Sequence, residues 1–321
     1  MEQRPTLKTI HRAHQRIRPY IHHTPVLTCS TINTLIGSQL FFKCENFQKT
    51  GSFKMRGASN ATITLESSQA KYGVITHSSG NHGAALSLAA RNLGISTSVV
   101  MPSNTPAIKQ AAVNGYGGNI VFCEPTLDDR EKTANKVQQE TGATMIHPYN
   151  NYRMIEGHGT ALVELLDEVA NLEIIMAPIG GGGLLSGTLI AAKSLRGNIR
   201  VVGVEPVEAD DAYRSWQAGK LLAPEESNTI ADGLRTSLGN KTFPIIRELV
   251  DSIVLTSERA IYKAMRLVMD HMKIVIEPSA AVPLAALLEK RIDVSDRRVG
   301  IILSGGNVDL NTLPILGTKP D

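Results

Sequence analysis

The stretch IIMAPIGGGGLLSGTLIAA, residues 174–192, decides the fold. It carries no charge and is nearly long enough to cross a bilayer. Pro178 and the run Gly180 to Gly183 interrupt it, which excludes a spanning helix. It reads instead as a buried strand, a glycine loop and a helix starting near Leu184. The same rhythm recurs on both sides. Upstream, QLFFKCE (39–45), YGVITHS (72–78), ISTSVVMP (95–102), NIVFCE (119–124) and ATMIHP (143–148) read as strands. Helices are expected at 81–92, 106–114 and 127–140. Downstream, EIIMAPI (173–179), VVGVEP (201–206), SIVLTS (252–257) and RVGIILS (298–304) repeat the pattern. Strands alternating with helices predict an α/β protein with mainly parallel sheets covered on both faces. Residues 66–151 hold enough strands for a small domain, leaving 1–65 and 152–321 as a large one.

Composition narrows the class. With 321 residues, a net charge of +3 and interspersed signs, the chain has no basic arm or acidic tail. Aromatics at 4% argue against stacking on single-stranded nucleic acid. Cys29, Cys44 and Cys123 are odd in number and fit no zinc spacing, which predicts a reducing compartment, the cytoplasm. Leu7, Ile10, Ile17 and Ile21 give the N-terminal segment a helical apolar stripe rather than the apolar core of a secretory signal. Neither a membrane nor a nucleic acid is expected as a partner.

In open α/β sheets, ligands bind where strands end and helices begin. Four such loops are unusual. Gly180 to Gly183 offers free backbone N–H groups at a helix N-terminus, a phosphate cradle or else a flexible turn. It is neither GxxxxGK[ST] nor a clean GxGxxG. Ser78-Ser79-Gly80-Asn81-His82-Gly83 suits a carboxylate, or simple capping by Ser78 or Asn81. Ser304-Gly305-Gly306-Asn307 puts a hydroxyl at a strand end, beside a flat ring or in a tight turn. Thr50 to Gly57 carries Lys54 near a helix start that Thr50 or Ser52 would cap. Lys54 is either a solvated lysine or, between Phe53 and Met55, a desolvated nucleophile. Glu205, Asp210 and Asp211 form an oxygen cluster for a hard cation or a set of helix caps. Of nine histidines only His82 lies in a candidate loop; the others read as structural or exposed.

Taken in order, these loops resemble a known family. The segments FFKCENFQKTGSFKMRGASNA (41–61), THSSGNHGAAL (76–86), PIGGGGLLSG (178–187), EPVEADDAYRS (205–215), TIADGL (229–234), IEPSAAVPLAALL (276–288) and ILSGGNVDL (302–310) resemble fold-type II pyridoxal-phosphate (PLP) enzymes. The branch is that of serine/threonine dehydratases and serine racemases, and the resemblance runs from about residue 5 to 312. It implies a tryptophan synthase β-like fold of two lobes. Lys54 matches the Schiff-base lysine. Gly180, Gly181, Gly182 and Gly183 with Leu184 match the phosphate loop. Asn81 matches the residue at the ring hydroxyl, Phe53 the ring backing, Gly233 a carbonyl near the cofactor and Ser304 the pyridine-nitrogen partner. Ser78, Ser79, Asn81, His82 and Tyr149 match substrate contacts. Ser79 is also the second acid/base of racemases. Glu205, the Ala209 carbonyl and Asp211 match a divalent-cation site (Mg, Mn or Ca).

This chain departs from the family pattern in places. Tyr149 stands where animal serine racemases have Asn, and Glu156-Gly157-His158-Gly159 replaces the more usual Ala-Gly-Gln-Gly. Ala84 replaces a Gln of the nucleotide-effector site, while Lys49, Thr50, Lys273 and Asn307 match its other positions, so an ATP effector is weighed alongside a homodimer. No regulatory domain is expected after residue 312. The resemblance implies a dehydratase (an ammonia-lyase) taking L-serine or L-threonine to a 2-oxo acid and ammonia. Serine racemase and 3-hydroxyaspartate dehydratase stand as alternatives, and an NAD-binding dehydrogenase as the reading from another class.

Overall fold

Continuous apolar strands place two sheets inside helical layers. The computed structural model describes residues 3–78, 80–223 and 227–310. The strands are β1 (Val26–Leu27), β2 (Gln39–Cys44), β3 (Val74–His77), β4 (Thr97–Pro102), β5 (Asn119–Cys123), β6 (Thr144–Met145), β7 (Ile174–Pro178), β8 (Arg200–Pro206), β9 (Ser252–Thr256) and β10 (Arg298–Leu303). The helices before β7 are α1 (Leu7–Ile17), α2 (Ser30–Ile36), α3 (Lys54–Ile63), α4 (Ser67–Ala70), α5 (Asn81–Arg91), α6 (Ala107–Gly115), α7 (Leu127–Thr141) and α8 (Tyr152–Glu168). After β7 come α9 (Gly183–Leu195), α10 (Asp211–Ala218), α11 (Thr242–Leu249), α12 (Glu258–Met272) and α13 (Pro278–Leu288).

One sheet has the order β1-β2-β10-β7-β8-β9, with β1 antiparallel to β2 and every other pair parallel. The other is all parallel, in the order β5-β4-β3-β6. β7 is buried along its whole length, as a strand covered on both faces must be. One core joins α12 and α13 to the large sheet through Met176, Val202 and Ile301; the other joins α8 and α9 to its opposite face through Ile175, Val201 and Ile302.

The structure corrects some local expectations. β1 was not expected; two partly buried residues leave little periodicity to read. ATMIHP contributes only Thr144 and Met145 to a strand, because His147 and Pro148 turn into the cleft loop. In α1 the buried stripe is Ile10, Ala13 and Ile17, and Ile21 lies beyond the helix. Neither Thr50 nor Ser52 caps α3. Thr50 is left-handed (φ 62°), and the buried Ser52 hydroxyl has no partner.

α3 is held instead by a buried charge cluster. Arg56 Nε donates to Glu45 Oε2 at 2.7 Å, and its Nη1 and Nη2 donate to Glu164 at 2.7 Å each. Lys43 Nζ lies 2.8 Å from Glu164, and Thr24 Oγ1 donates to Glu45 at 2.6 Å. Arg56, Lys43, Glu45 and Glu164 are all buried, two cations against two anions. Burial opposes charging of Glu164, but hydrogen bonds from His14 and Arg56 hold it well below the usual carboxylate range. Breaking such a pair strands an uncompensated buried charge. Arg56→Met is therefore expected to cost roughly 3–5 kcal/mol, read as a lowered denaturant midpoint at unchanged m value. An unshifted midpoint would remove the cluster from any account of stability.

Candidate active site

The cleft begins where β10 ends. The Ser304 carbonyl accepts from Phe53 N at 3.0 Å, Gly306 N donates to the Gly51 carbonyl at 2.9 Å, and Ser52 bridges Gly305. These bonds set the start of α3, and with it Lys54, against the C-terminal edge of the large sheet. Lys54 Nζ donates to the Pro148 carbonyl at 2.8 Å and lies 5.0 Å from the Phe53 ring centroid. Burial pulls its pKa down to about 8, against the pull of Glu277 in the other direction.

Four helices begin in this region without a side-chain cap: α3, α5, α9 and α13. α1, α8 and α12 begin with side-chain caps from Thr6, Asn151 and Ser257. α5 and α9 instead begin after Gly80 and Gly182 with no side-chain cap, so neither Ser78 nor Asn81 caps α5. Uncapped N–H groups and the helix dipole suit anions. In the glycine loop, Gly182 has φ 81°, and a Cβ on Gly181 would lie 2.2 Å from the Tyr149 ring. Thr242 Oγ1 donates to the Gly181 carbonyl at 2.9 Å, and the Gly233 carbonyl faces Gly180. Leu184 is buried.

Contacts tie several of the expected site residues together: Phe53 N bonds the Ser304 carbonyl, the Gly233 carbonyl faces Gly180, and Glu277, bonded to Asn81, acts on Lys54. Ser78 is half-buried, its hydroxyl accepting weakly from Gly80 N at 3.4 Å. Ser79 lies outside the described residues. The His82 ring turns away, Nε2 meeting the Ile146 carbonyl at 3.0 Å, and burial takes its pKa down to about 3. Burial pushes the Tyr149 hydroxyl up to about 12, so it stays protonated.

The contacts of several groups escaped the sequence reading. Glu277, buried at the start of α13, accepts from Asn81 Nδ2 at 2.9 and 3.0 Å, and burial raises it to about 7. Asn307 Nδ2 donates to Asn81 Oδ1 at 2.9 Å and to the Thr50 carbonyl at 2.7 Å. The Asn81 amide is thus already shared before any ligand arrives. His147 accepts from Asn150 N at 3.0 Å and packs edge-on against Tyr149, fixing the loop that carries Pro148. His158 is fully buried beside Phe53. Across the cleft mouth, Lys109 of α6 forms an ion pair with Asp232, next to Gly233.

A second site lies beyond α9. Glu205 at the end of β8 accepts from Ala212 N at 3.2 Å and Tyr213 N at 2.8 Å, yet burial and the nearby Asp211 push its pKa well up. Burial raises Asp211 to about 6, and its Oδ2 is buried without a partner. Asp210 is spent on Arg214 at 2.8 Å. Ala209, Asp211, Thr236 and Ser237 line a pocket of about 240 Å³ there.

Comparison with known proteins agrees with this geometry. The family model for "Pyridoxal-phosphate dependent enzyme" matches residues 17–305. A serine racemase of Dictyostelium discoideum is 52% identical over 312 residues, covering 96% of each chain. A beta-hydroxyaspartate dehydratase of Paracoccus denitrificans is 48% identical, covering 97% of this chain and 98% of its own. The crystal structure of a T.th. threonine deaminase superposes with a TM-score of 0.90 at 44% identity, covering 95% of this chain and 99% of that one. The family is one of PLP enzymes and not of nicotinamide-dinucleotide dehydrogenases. The chain belongs to the pyridoxal-phosphate dependent enzymes, in the group that holds serine racemases and threonine deaminases.

Proposed function

We propose that this protein is a PLP-dependent dehydratase of small hydroxy amino acids, taking L-serine or L-threonine to a 2-oxo acid and ammonia. The observation that carries this reading is Lys54, a desolvated amine between the bare N-termini of α5 and α9. PLP, when bound through Lys54, supplies a sink for the electron pair left on the α-carbon. The residues fit it: Gly180 to Gly183 and Leu184 for the phosphate, Phe53 for one ring face, Gly233 nearby, Ser304 for the ring nitrogen and Asn81 for the ring hydroxyl. Asn81 can serve that hydroxyl only while sharing its amide with Glu277.

The substrate carboxylate is assigned to the N-terminus of α5, with Ser78, Ser79, the backbone of Asn81 and His82, and Tyr149 around it. The freed Lys54 amine takes the α-proton. The β-hydroxyl leaves as water; the released enamine becomes an imine, and its hydrolysis takes that water up again. The net change is a hydroxy amino acid to a 2-oxo acid plus ammonia. In a second reading, Ser79 returns a proton to the face opposite Lys54 and the product is the other enantiomer. The 52% identity to a protein called serine racemase favours it. The relative called beta-hydroxyaspartate dehydratase adds 3-hydroxyaspartate to the substrates to be tried.

Glu205, the Ala209 carbonyl and Asp211 are proposed to hold a divalent cation (Mg, Mn or Ca), supported by two carboxylates whose pKa values are both raised and by the orphaned Asp211 Oδ2. The unit 66–151 is read as a small lobe on the strength of its own four-stranded sheet. A homodimer is proposed by likeness. Among the ATP-effector positions, Asn307 is already engaged by Thr50 and Asn81, which weighs against that effector. The three cysteines are free and no described helix is long and apolar enough to cross a membrane; the free thiols support the cytoplasm.

Four outcomes are expected. Purified protein given PLP shows a visible absorbance band that Lys54→Ala abolishes. A panel of serine, threonine and 3-hydroxyaspartate, followed for 2-oxo acid and for chirality of the remaining amino acid together, shows 2-oxo acid release. Chirality inversion without 2-oxo acid would hand the assignment to the racemase. In cofactor-free protein, Lys54→Met raises Tm at pH 7. The folded amine titrates at about 8 against 10.5 in the open chain, so the penalty it removes is full below about 8 and fades toward 10.5. A pH-independent effect would mean the amine is not desolvated. Added magnesium raises Tm by mass action in the parent and not in Asp211→Asn; equal responses would end the cation assignment.

A further inference from the structure

The ion pair across the cleft mouth carries an inference that rests on the PLP reading and deepens it. Lys109 stands on α6, in the unit of the small sheet, and Asp232 in a short turn that belongs to the unit of the large sheet. The two units meet along an apolar seam, where Met55 and Ala58 of α3 pack with Ala85 and Ala89 of α5. α6 lies away from that seam and buries only Val113. Among the described residues, no ion pair other than Lys109–Asp232 joins α6 or α7 to the large sheet's unit. Asp232 is itself firmly backed. Ala231 and Leu234 on either side of the turn are buried in the core, and Gly233 N donates to Ser279 Oγ at 3.1 Å. The Gly233 carbonyl faces the glycine loop: a Cβ on Gly180 would lie 3.1 Å from its oxygen. Lys109 thus grips the residue next to a carbonyl at the proposed cofactor cradle. Burial raises Glu277, Asp232 adds to the rise and Lys109 opposes it, so the pair also lies within reach of the carboxylate that holds Asn81.

We propose that Lys109 is a positioning residue, a latch whose pair with Asp232 holds the unit of the small sheet closed over Lys54 and in register with Gly233. It touches no reacting atom and acts through Asp232. The two side chains are 29% and 43% exposed, so the pair is weak and salt screens it. A weak latch suits the task. It biases the cleft toward closure without trapping product, and the carboxylate contacts proposed at the N-terminus of α5 supply the remainder once substrate is bound.

The test uses the full chain loaded with PLP and follows the rate at which hydroxylamine, a small uncharged reagent, removes the visible band. Lys109→Gln and Asp232→Asn are each expected to raise that rate roughly two- to fivefold. The double variant goes no further than either single one, and Lys109→Arg keeps the parental rate. High salt raises the parental rate and leaves that of Lys109→Gln unchanged. Additive effects of the two single changes, or a parental rate in Lys109→Gln, overturn the proposal. A lowered Tm with a hydroxylamine rate indifferent to salt marks a merely structural contact and overturns it too. Should the parent take up no PLP, the functional reading falls separately, and amide hydrogen exchange of the same full chain decides for the latch. Faster exchange at Asp232–Leu234 in Lys109→Gln than in the parent sustains it, and equal rates overturn it.

Discussion

Everything in the cleft depends on Arg56 being clamped between Glu45 and Glu164. The guanidinium reaches the chain after β2 on one side and α8 on the other, with almost no solvent at any of the three. Its two-sided fork suits this task in a way that a lysine's point charge does not. Lys54 precedes Arg56 by two residues, about 200° around an α-helix. The face of α3 that is anchored is therefore nearly opposite the face that presents the amine. A helix held that firmly on its back can carry a desolvated amine on its front, because the cost of burying one group is met by a cluster whose charges cancel.

The second constraint is how closely three helices approach. A Cβ on Gly157 of α8 would lie 2.4 Å from the Arg56 carbonyl of α3, and one on Gly187 of α9 would lie 2.5 Å from the Gly159 nitrogen. α8 thus touches both neighbours backbone to backbone. The distance from Lys54 to the glycine loop is set by these contacts and not by the loop itself. Side chains at those positions would wedge α3 from α9 and separate the two ends of the proposed cofactor site.

Much of this was legible in the sequence, for physical reasons. The strand and helix alternation survives in a single chain because strands covered on both faces must be apolar throughout, as β7 and most of β10 are. The bare glycine loop and Lys54 between two apolar residues were visible because their chemistry is local. Glu277 was not, because it meets Asn81 across 196 positions and at its own place looks like an acidic residue opening a helix. His158 sits mid-helix, where a histidine in an apolar setting reads as core; only the fold brings Gly57, Gly183 and Phe53 to it. Thr50 and Ser52 misled because capping is inferred from residue type, whereas the turn before α3 is governed by its pairing with Gly305 and Gly306.

The cleft also solves an electrostatic problem. Lys54 stands within the field of His82, His147 and His158, and burial first, with the lysine charge adding to it, holds each of these rings neutral. Glu277, likewise raised by burial, stays bonded to Asn81 and supplies the attraction that opposes Lys54's desolvation. Few fixed charges are thus left near the amine at neutral pH. The positive ends of α5 and α9 then act together with the Lys54 amine, and they favour a ligand with two separate anionic groups. The phosphate proposed for one terminus and the carboxylate proposed for the other would fill that requirement.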